Sequence, residues 1–480
     1  MKYDVIVIGG GLGGLTAGAK LAREGKKVLL IEQHVQPGGC ATTFKRGDYT
    51  LEVGLHEMDG PGPKDMKTRI FAELGVTENV EFIKVPEFYR FLSDNIDITV
   101  PHDPAQARSL LKVAFPAETA SIDAYFDQLL SPRRKDPAGV PVPDTSVGEF
   151  LDSIITNDEL KLVLLGNLGY FHDDPYTLSL AYYTIAQGSY YTGGASFIKG
   201  GSQVLSDHLA GFITSHGGEV LLSHLVTGFT YENGAISGVT YIKMRDSSDE
   251  VLTASATDIV LNAAPENIAD WLPEEYRTKL LAETTRQQTG ASLLTIYFGF
   301  RDNLSAIGNT HYSTFVYDRS VRSQADIAHN NRSSFDKRSF TFIDYGRIDS
   351  GLASGGKSVG AMCCIDYLSD WENLSKSDYK RKKEEVAEAL LLRLDNVLPG
   401  IVGLTDYYEV GTAATVKRYT LTPGGAVYGF ARVPAKEAFN TSVLPGNLHI
   451  ASAWGKTGGG FSGAIYGGYL CAINVIRARR

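Results

Sequence analysis

Four cysteines in 480 residues are too few to staple a chain of this size, and two of them, Cys363 and Cys364, are adjacent and cannot tie distant elements together in the usual way. Such usage suits a reducing compartment, so a cytoplasmic protein is expected. No run of eighteen apolar residues occurs, and nothing is expected to span a bilayer. Basic excess is missing as well. The 46 Lys and Arg against 55 Asp and Glu leave a net charge of −9, which gives no electrostatic case for nucleic acid or for an anionic membrane surface. The ten histidines form no H-E-x-x-H and there is no C-x-x-C, so no metal site is expected. Repeats and low-complexity tracts are also absent. The apolar N-terminus is consumed by the motif described next, and a secretory signal is therefore not expected.

What is present begins at once. Tyr3–Ile8 is an apolar run that feeds into Gly9-x-Gly11-x-x-Gly14. Leu12 to Arg23 keeps small or apolar residues at helical spacing, Gly25 closes that helix, and Val28–Ile31 is a second apolar strand. Glu32 follows eighteen residues after Gly14, where a carboxylate can accept hydrogen bonds from both hydroxyls of a ribose. Strand, turn, helix, strand and acid together spell a dinucleotide site at Gly9, Gly11, Leu12, Gly13 and Gly14: Gly9 makes the tight turn, Gly11 lets the backbone approach the diphosphate at the helix N-terminus, and Gly14 allows close helix–strand contact. Glu32 would repel a 2′-phosphate, which sets NADP aside and leaves FAD or NAD.

The next segment favours FAD. Gln33 leads to the glycine doublet Gly38-Gly39, then Cys40, about six residues beyond the acid, where NAD-binding domains usually continue into helix and strand. A doublet alone is also an ordinary surface turn. Together with Tyr49-x-x-Glu52-Val53-Gly54-Leu55-His56, however, the stretch resembles the retinol saturase branch of the family that also holds phytoene desaturases and carotenoid isomerases. Two later blocks extend the resemblance over nearly the whole chain. Lys199-Gly200-Gly201-Ser202-Gln203-Val204-Leu205 opens a helix and leads through Val226 and a hairpin at Asn233-Gly234 to Asp258–Pro265. Gly446–Ala464 reads as a strand, the glycine loop Gly458-Gly459-Gly460-Phe461 and a final helix. The resemblance implies that Val226 lies near the adenine and that the final helix aims its N-terminal N–H groups at the pyrimidine edge of the flavin. The chain departs from many relatives in carrying Ser452-Ala453 where an aspartate would hold the ribityl chain, a feature shared with phytoene desaturases. Cys40 replaces the arginine typical of flavin amine oxidases.

The expected fold is α/β, a Rossmann-type FAD-binding domain of the glutathione-reductase kind with an inserted α+β substrate domain. The flavin blocks place residues 1–85, 195–265 and 410–480 in the first and 86–194 and 266–409 in the second. Within the second, Ser131–Asp144 reads as a loop rich in proline and charge, Leu293–Phe300 as a sheet edge and Lys376–Leu394 as a charged amphipathic helix. Seven aromatics (Tyr170, Phe171, Tyr176, Tyr182, Tyr183, Tyr190 and Tyr191) read either as the wall of an apolar tunnel or as ordinary core. Two pattern matches are rejected. Gly351–Ser358 matches a P-loop and Gly356–Gly360 a nucleophile elbow, yet a polar turn precedes both and an apolar strand, Val359–Asp366, follows.

The resemblance implies an FAD enzyme acting on a carbon–carbon double bond of a long apolar polyene or isoprenoid, with saturation ahead of desaturation and cis–trans isomerisation. His56, Tyr428 and Lys456 are the candidate catalytic residues, with Tyr419, Thr420 and Gly425–Gly429 as further candidates for the reacting face. A lipid-dissolved substrate calls for an entrance near a bilayer, a peripheral contact without a spanning helix. A non-catalytic prenyl-binding escort is the alternative of another class, since the dissociation inhibitors of small GTPases share this architecture.

Overall fold

The computed structural model describes residues 2–63, 65–130, 144–244 and 250–479. Two seven-stranded sheets organise them. In the first, Glu219–Leu221, Val28–Ile31, Lys2–Ile8 and Leu252–Leu261 lie side by side and parallel. Val28–Ile31 is apolar and buried throughout and Lys2–Ile8 is buried from Val5 on, as strands inside a parallel sheet are, whereas Leu252–Leu261 alternates buried with exposed residues before Asp258. The strand Leu252–Leu261 has a divided outer edge. Its first half pairs antiparallel with Ala235–Lys243, and its second half pairs parallel with Leu448–Ile450. His224–Glu232 and Ala235–Lys243 form the expected hairpin, and both turn residues, Asn233 and Gly234, have positive φ, as a tight primed turn demands.

The helix Leu12–Arg23 is buried along most of its length because it is crossed by the C-terminal helix, Gly460–Ala478. A glycine permits this crossing. A Cβ on Gly468 would come 2.1 Å from the Gly13 carbonyl oxygen, so the two backbones touch. Beside the crossing, Lys67 is fully buried and reaches Asp59 and Asp65, each at 2.7 Å, and the Tyr466 hydroxyl at 3.0 Å. Burial alone would lower the Lys67 pKa, but the charges of Asp59, Tyr466 and Asp65 more than offset it and hold the ammonium form.

The second sheet runs in the order Thr405–Gly411, Ser292–Phe300, Ser358–Asp366, Phe340–Asp344, Ser313–Val316, Tyr89–Leu92 and Asp97–Val100. Ser292–Phe300 is not the edge that its sequence suggested. It is paired on both sides, with Ser358–Asp366 and with Thr405–Gly411, and eight of its nine residues are buried. Thr405–Gly411 takes the edge instead and alternates half-buried with exposed residues until its last two. The Lys376–Val397 helix covers this sheet through Val386, Ala387, Leu390 and Leu394, and its charged face carries the Arg381–Glu385 pair. The P-loop-like stretch is a turn running into Ser358–Asp366, as its polar flank required. Most of the proline-rich loop falls on residues 131–143, outside the described ones. No helix among the described residues is long and apolar enough to cross a membrane.

Candidate active site

Both helix N-termini that meet the site are bare. Gly11 caps Leu12–Arg23 and Gly459 caps Gly460–Ala478, and neither offers a side chain to the first N–H groups. Those donors need an anion or a polar ligand. The turn between Ile8 and Leu12 is pinned from below by Asn262, whose amide donates to the Gly9 carbonyl at 3.2 Å. Gly9 has φ +95°, and a Cβ there would come 2.6 Å from the Asn262 carbonyl oxygen. Leu12 and Gly14 are buried in the helix, where a Cβ on Gly14 would strike the Gly9 carbonyl at 2.2 Å. Gly13 has a different job from the one its motif position suggested. Its missing Cβ makes room for the Ala451 carbonyl, 1.9 Å from where a Cβ would stand, so the residue seats the helix under the last strand.

Glu32 is buried, and its two carboxylate oxygens accept from the Gly10 N–H at 2.6 Å and the His34 N–H at 2.8 Å. It thus stands where the first two strands deliver it, against the glycine turn. The Gln33 amide and the His34 ring both reach the Tyr419 carbonyl, at 3.1 and 2.6 Å. Tyr419 is 51% exposed, and neither it nor Thr420 lines the cavity described below, which takes both away from the expected reacting face. The doublet docks on the turn: Gly38 N–H donates to the Gly10 carbonyl at 2.7 Å, and a Cβ on Gly39 would meet the Gly11 Cα at 3.3 Å. Burial pushes the Cys40 thiol up to about 11, which keeps it from acting as a thiolate. Val226 is buried in the apolar cluster that contains Ile8 and Ile31.

Glu52 was quoted in the motif but its role was not legible there. It is buried and accepts from Ser202 N–H and Oγ, both at 2.7 Å, and from the Gly54 and Leu55 N–H groups at 3.1 and 3.0 Å. The helix that follows supports the doublet too, through Ser206 Oγ to the Ala41 carbonyl at 2.7 Å and the Gln203 amide to the Pro37 carbonyl at 3.0 Å. One carboxylate therefore joins the first and second sequence blocks, and Asn262 joins the second to the turn.

A cavity of about 280 Å³ opens where the blocks meet. Gly54, Tyr428, Thr457, Gly459, Gly460 and Phe461 line one part of it. Gly458 stands just behind, its absent side chain leaving room for the Tyr182 ring, 3.2 Å from where a Cβ would lie. A Cβ on Gly459 would come 2.5 Å from the Tyr428 backbone, so this glycine lets the crossing segment run against the helix start. Tyr170, Phe171, Tyr182 and Tyr190 line another part, together with polar residues that include Glu57, His172, Thr295 and Asn331. Their neighbours in the aromatic stretch do not: the Tyr183 hydroxyl bonds that of Tyr125 in the core, Tyr191 packs on Phe126, and Tyr176 reaches Asp152. His56 lines the cavity beside Tyr170 and is held neutral, because burial lowers it to about 4. Lys456 is exposed and absent from the cavity lining, which corrects its placement near the reacting face: the loop turns its side chain to solvent. Among the described residues no cluster of His, Cys, Asp or Glu suits a metal ion.

These features fit a flavin dinucleotide. Both bare helix starts, the backbone-lined turn, the doublet and the unpartnered buried Thr457 hydroxyl supply the donors it needs without an intruding side chain. Together they define an FAD-binding oxidoreductase of the α/β type. The chain belongs to the flavin containing amine oxidoreductase family, whose model matches residues 12–476. It is 27% identical to a prolycopene isomerase of Daucus carota, over 99% of this chain and 80% of that protein. It is also 23% identical to an all-trans-retinol 13,14-reductase of Danio rerio, over 98% of this chain and 86% of that protein. Among solved structures, putrescine oxidase bound to putrescine shares the fold, with a TM-score of 0.67 and 15% identity over 99% of each chain. FAD is the cofactor and the protein is a flavin-dependent oxidoreductase; the escort reading finds no support.

Proposed function

We propose that the protein acts on a carbon–carbon double bond of a long apolar polyene or isoprenoid, with saturation as its reaction. The cavity carries this reading, because it joins the helix start at Gly459 and Gly460 to an aromatic wall and has no lysine or arginine in its lining. Bound flavin supplies hydride chemistry. The chain's own residues do the rest: Tyr170, Phe171, Tyr182 and Tyr190 hold an apolar chain and exclude water, Tyr428 and Phe461 stand at the reacting end, and neutral His56 adds no charge. Gly9, Gly11, Gly14, Glu32, Gly38, Gly39 and the Gly458–Gly460 loop are the proposed cofactor holders. Residues 1–85, 195–265 and 410–480 remain the proposed cofactor domain. Ile185 lines the cavity while 66% exposed, and it marks the rim at which a lipid-dissolved chain enters from a peripherally contacted bilayer.

Redox-neutral cis–trans isomerisation is the second reading, favoured by the similarity to prolycopene isomerase over nearly the whole chain. The test is to incubate FAD-loaded protein, reduced under anaerobic conditions, with retinoids and with cis and trans carotenoids in detergent, and to weigh the products. A gain of two hydrogens supports saturation. Unchanged mass with altered geometry establishes isomerisation, and a loss of two hydrogens with oxidised flavin establishes desaturation. Polyenes that are left unchanged in both redox states overturn the proposal.

A further inference from the structure

Glu57 is 7% exposed, both of its carboxyl oxygens are buried without a hydrogen-bond partner, and it lines the cavity. The nearby cavity carboxylate is settled: Asp59 has Lys67 at 2.7 Å and the Ser462 hydroxyl. Tyr170 lines the same cavity, and its hydroxyl is likewise buried and unpartnered. The Tyr170 ring lies 5.8 Å from that of His56, the residue before Glu57, and Glu57 and Tyr170 do not hydrogen-bond to each other. A buried polar group without a partner is costly, and a ligand that sealed the cavity with hydrocarbon alone would leave the Glu57 and Tyr170 atoms unsatisfied.

We propose that Glu57 and Tyr170 form a recognition point for the neutral hydroxyl end of a polyene alcohol. The inference rests on the polyene reading above and adds the chemistry of one end of the substrate. A hydroxyl both donates and accepts, and so satisfies a carboxylic acid and a phenol together. Burial, and then the charge of Glu87, push Glu57 well above the usual carboxylate range, so it enters this pairing as the acid. A carboxylate end would meet no lysine or arginine in the lining. Two other unpartnered atoms line the cavity, Thr457 Oγ1 in the glycine loop and His172 Nε2, and the test separates His172 from the proposed pair.

The experiment compares all-trans-retinol, axerophthene (the hydrocarbon with methyl in place of the terminal CH₂OH) and all-trans-retinoic acid. Binding to the flavin-loaded protein in detergent is followed by quenching of protein fluorescence. Wild type should bind retinol about ten- to a hundredfold more tightly than axerophthene, and retinoic acid no better than axerophthene. Glu57→Gln, which still donates and accepts, should keep the preference. Glu57→Leu and Tyr170→Phe should each shrink it by weakening retinol alone, at unchanged flavin content. Equal affinity of wild type for retinol and axerophthene overturns this inference and leaves the polyene reading standing. A preference that survives in both Glu57→Leu and Tyr170→Phe moves recognition to His172 and overturns it as well. Binding of none of the three counts instead against the polyene reading.

Discussion

Replacing Gly13 with alanine adds one carbon atom at the point where the first helix, the last strand and Asn262 converge. That Cβ would lie 1.9 Å from the Ala451 carbonyl oxygen and 2.7 Å from Asn262 Oδ1. Asn262 can turn its side chain, but Ala451 continues the strand Leu448–Ile450, which is paired with Leu252–Leu261 and cannot yield alone. The helix start must therefore retreat until the contact approaches 3.0 Å, carrying the Gly9–Gly14 turn with it. Overpacking against backbone costs about 1–3 kcal/mol, and the closeness of this contact puts the variant near the upper end. Gly11→Ala is the control, since its Cβ would meet only the Asn262 side-chain amide, at 2.9 Å. Urea unfolding of flavin-free protein should show a loss of about 3 kcal/mol for Gly13→Ala and under ~1 kcal/mol for Gly11→Ala, as a soft neighbour allows. FAD titration should weaken for both, because both change the seat of the diphosphate. A Gly13→Ala protein with the wild-type urea midpoint and stoichiometric flavin would refute the reasoning.

Two further outcomes test the frame around the site. Lys67→Met should cost about 3–5 kcal/mol, because it strands Asp59 and Asp65 without a counter-charge in a buried position; urea unfolding measures this, and adding Asp59→Asn to the variant should recover part of the loss. Glu118 is raised by burial, but hydrogen bonds from Ser121, Thr156 and the Asn157 N–H overcome that and hold it down to about 2. Its folded pKa lies below the unfolded one, so its contribution is complete above about 4.5 and fades as pH falls towards 2. Glu118→Gln should accordingly be about 1–3 kcal/mol less stable at neutral pH, with the gap closing through that acid window in pH-dependent unfolding.

How much of this was legible depended on whether a feature was local. The turn at Gly9–Gly14, the helix behind it and the hairpin at Asn233-Gly234 follow from backbone conformations that few residues tolerate, so the residues announce them. The Lys376–Val397 helix was legible because one apolar stripe suffices to orient it. The strand Ser292–Phe300 was misplaced for the opposite reason: an apolar run shows burial, not the number of neighbours. The aromatic stretch divided between cavity and core because Tyr182 and Tyr183 differ only in the direction each faces from one helix, and that is set by elements far away in sequence. Glu52, Asn262 and Glu57 carry no local signal. Their importance comes from partners such as Ser202 and Gly9, or, for Glu57, from having none.

The two ends of the cavity also obey different physical rules. At the cofactor end Gly459 stands against the Tyr428 backbone, and behind it Gly13 stands against the Ala451 carbonyl. At those positions a side chain collides with backbone that cannot rotate away, so glycine is demanded and the demand is written in the sequence. At the substrate end the neighbours are rings, among them Tyr170, Phe171 and Tyr190, and one aromatic can give way to another of similar volume at small cost. Shape at that end is therefore loosely encoded, and discrimination between substrates falls to the few polar atoms in the lining. Glu57 and the Tyr170 hydroxyl are such atoms, which is why changing their hydrogen-bonding should alter which polyene is preferred while the glycine-lined cofactor seat stays intact.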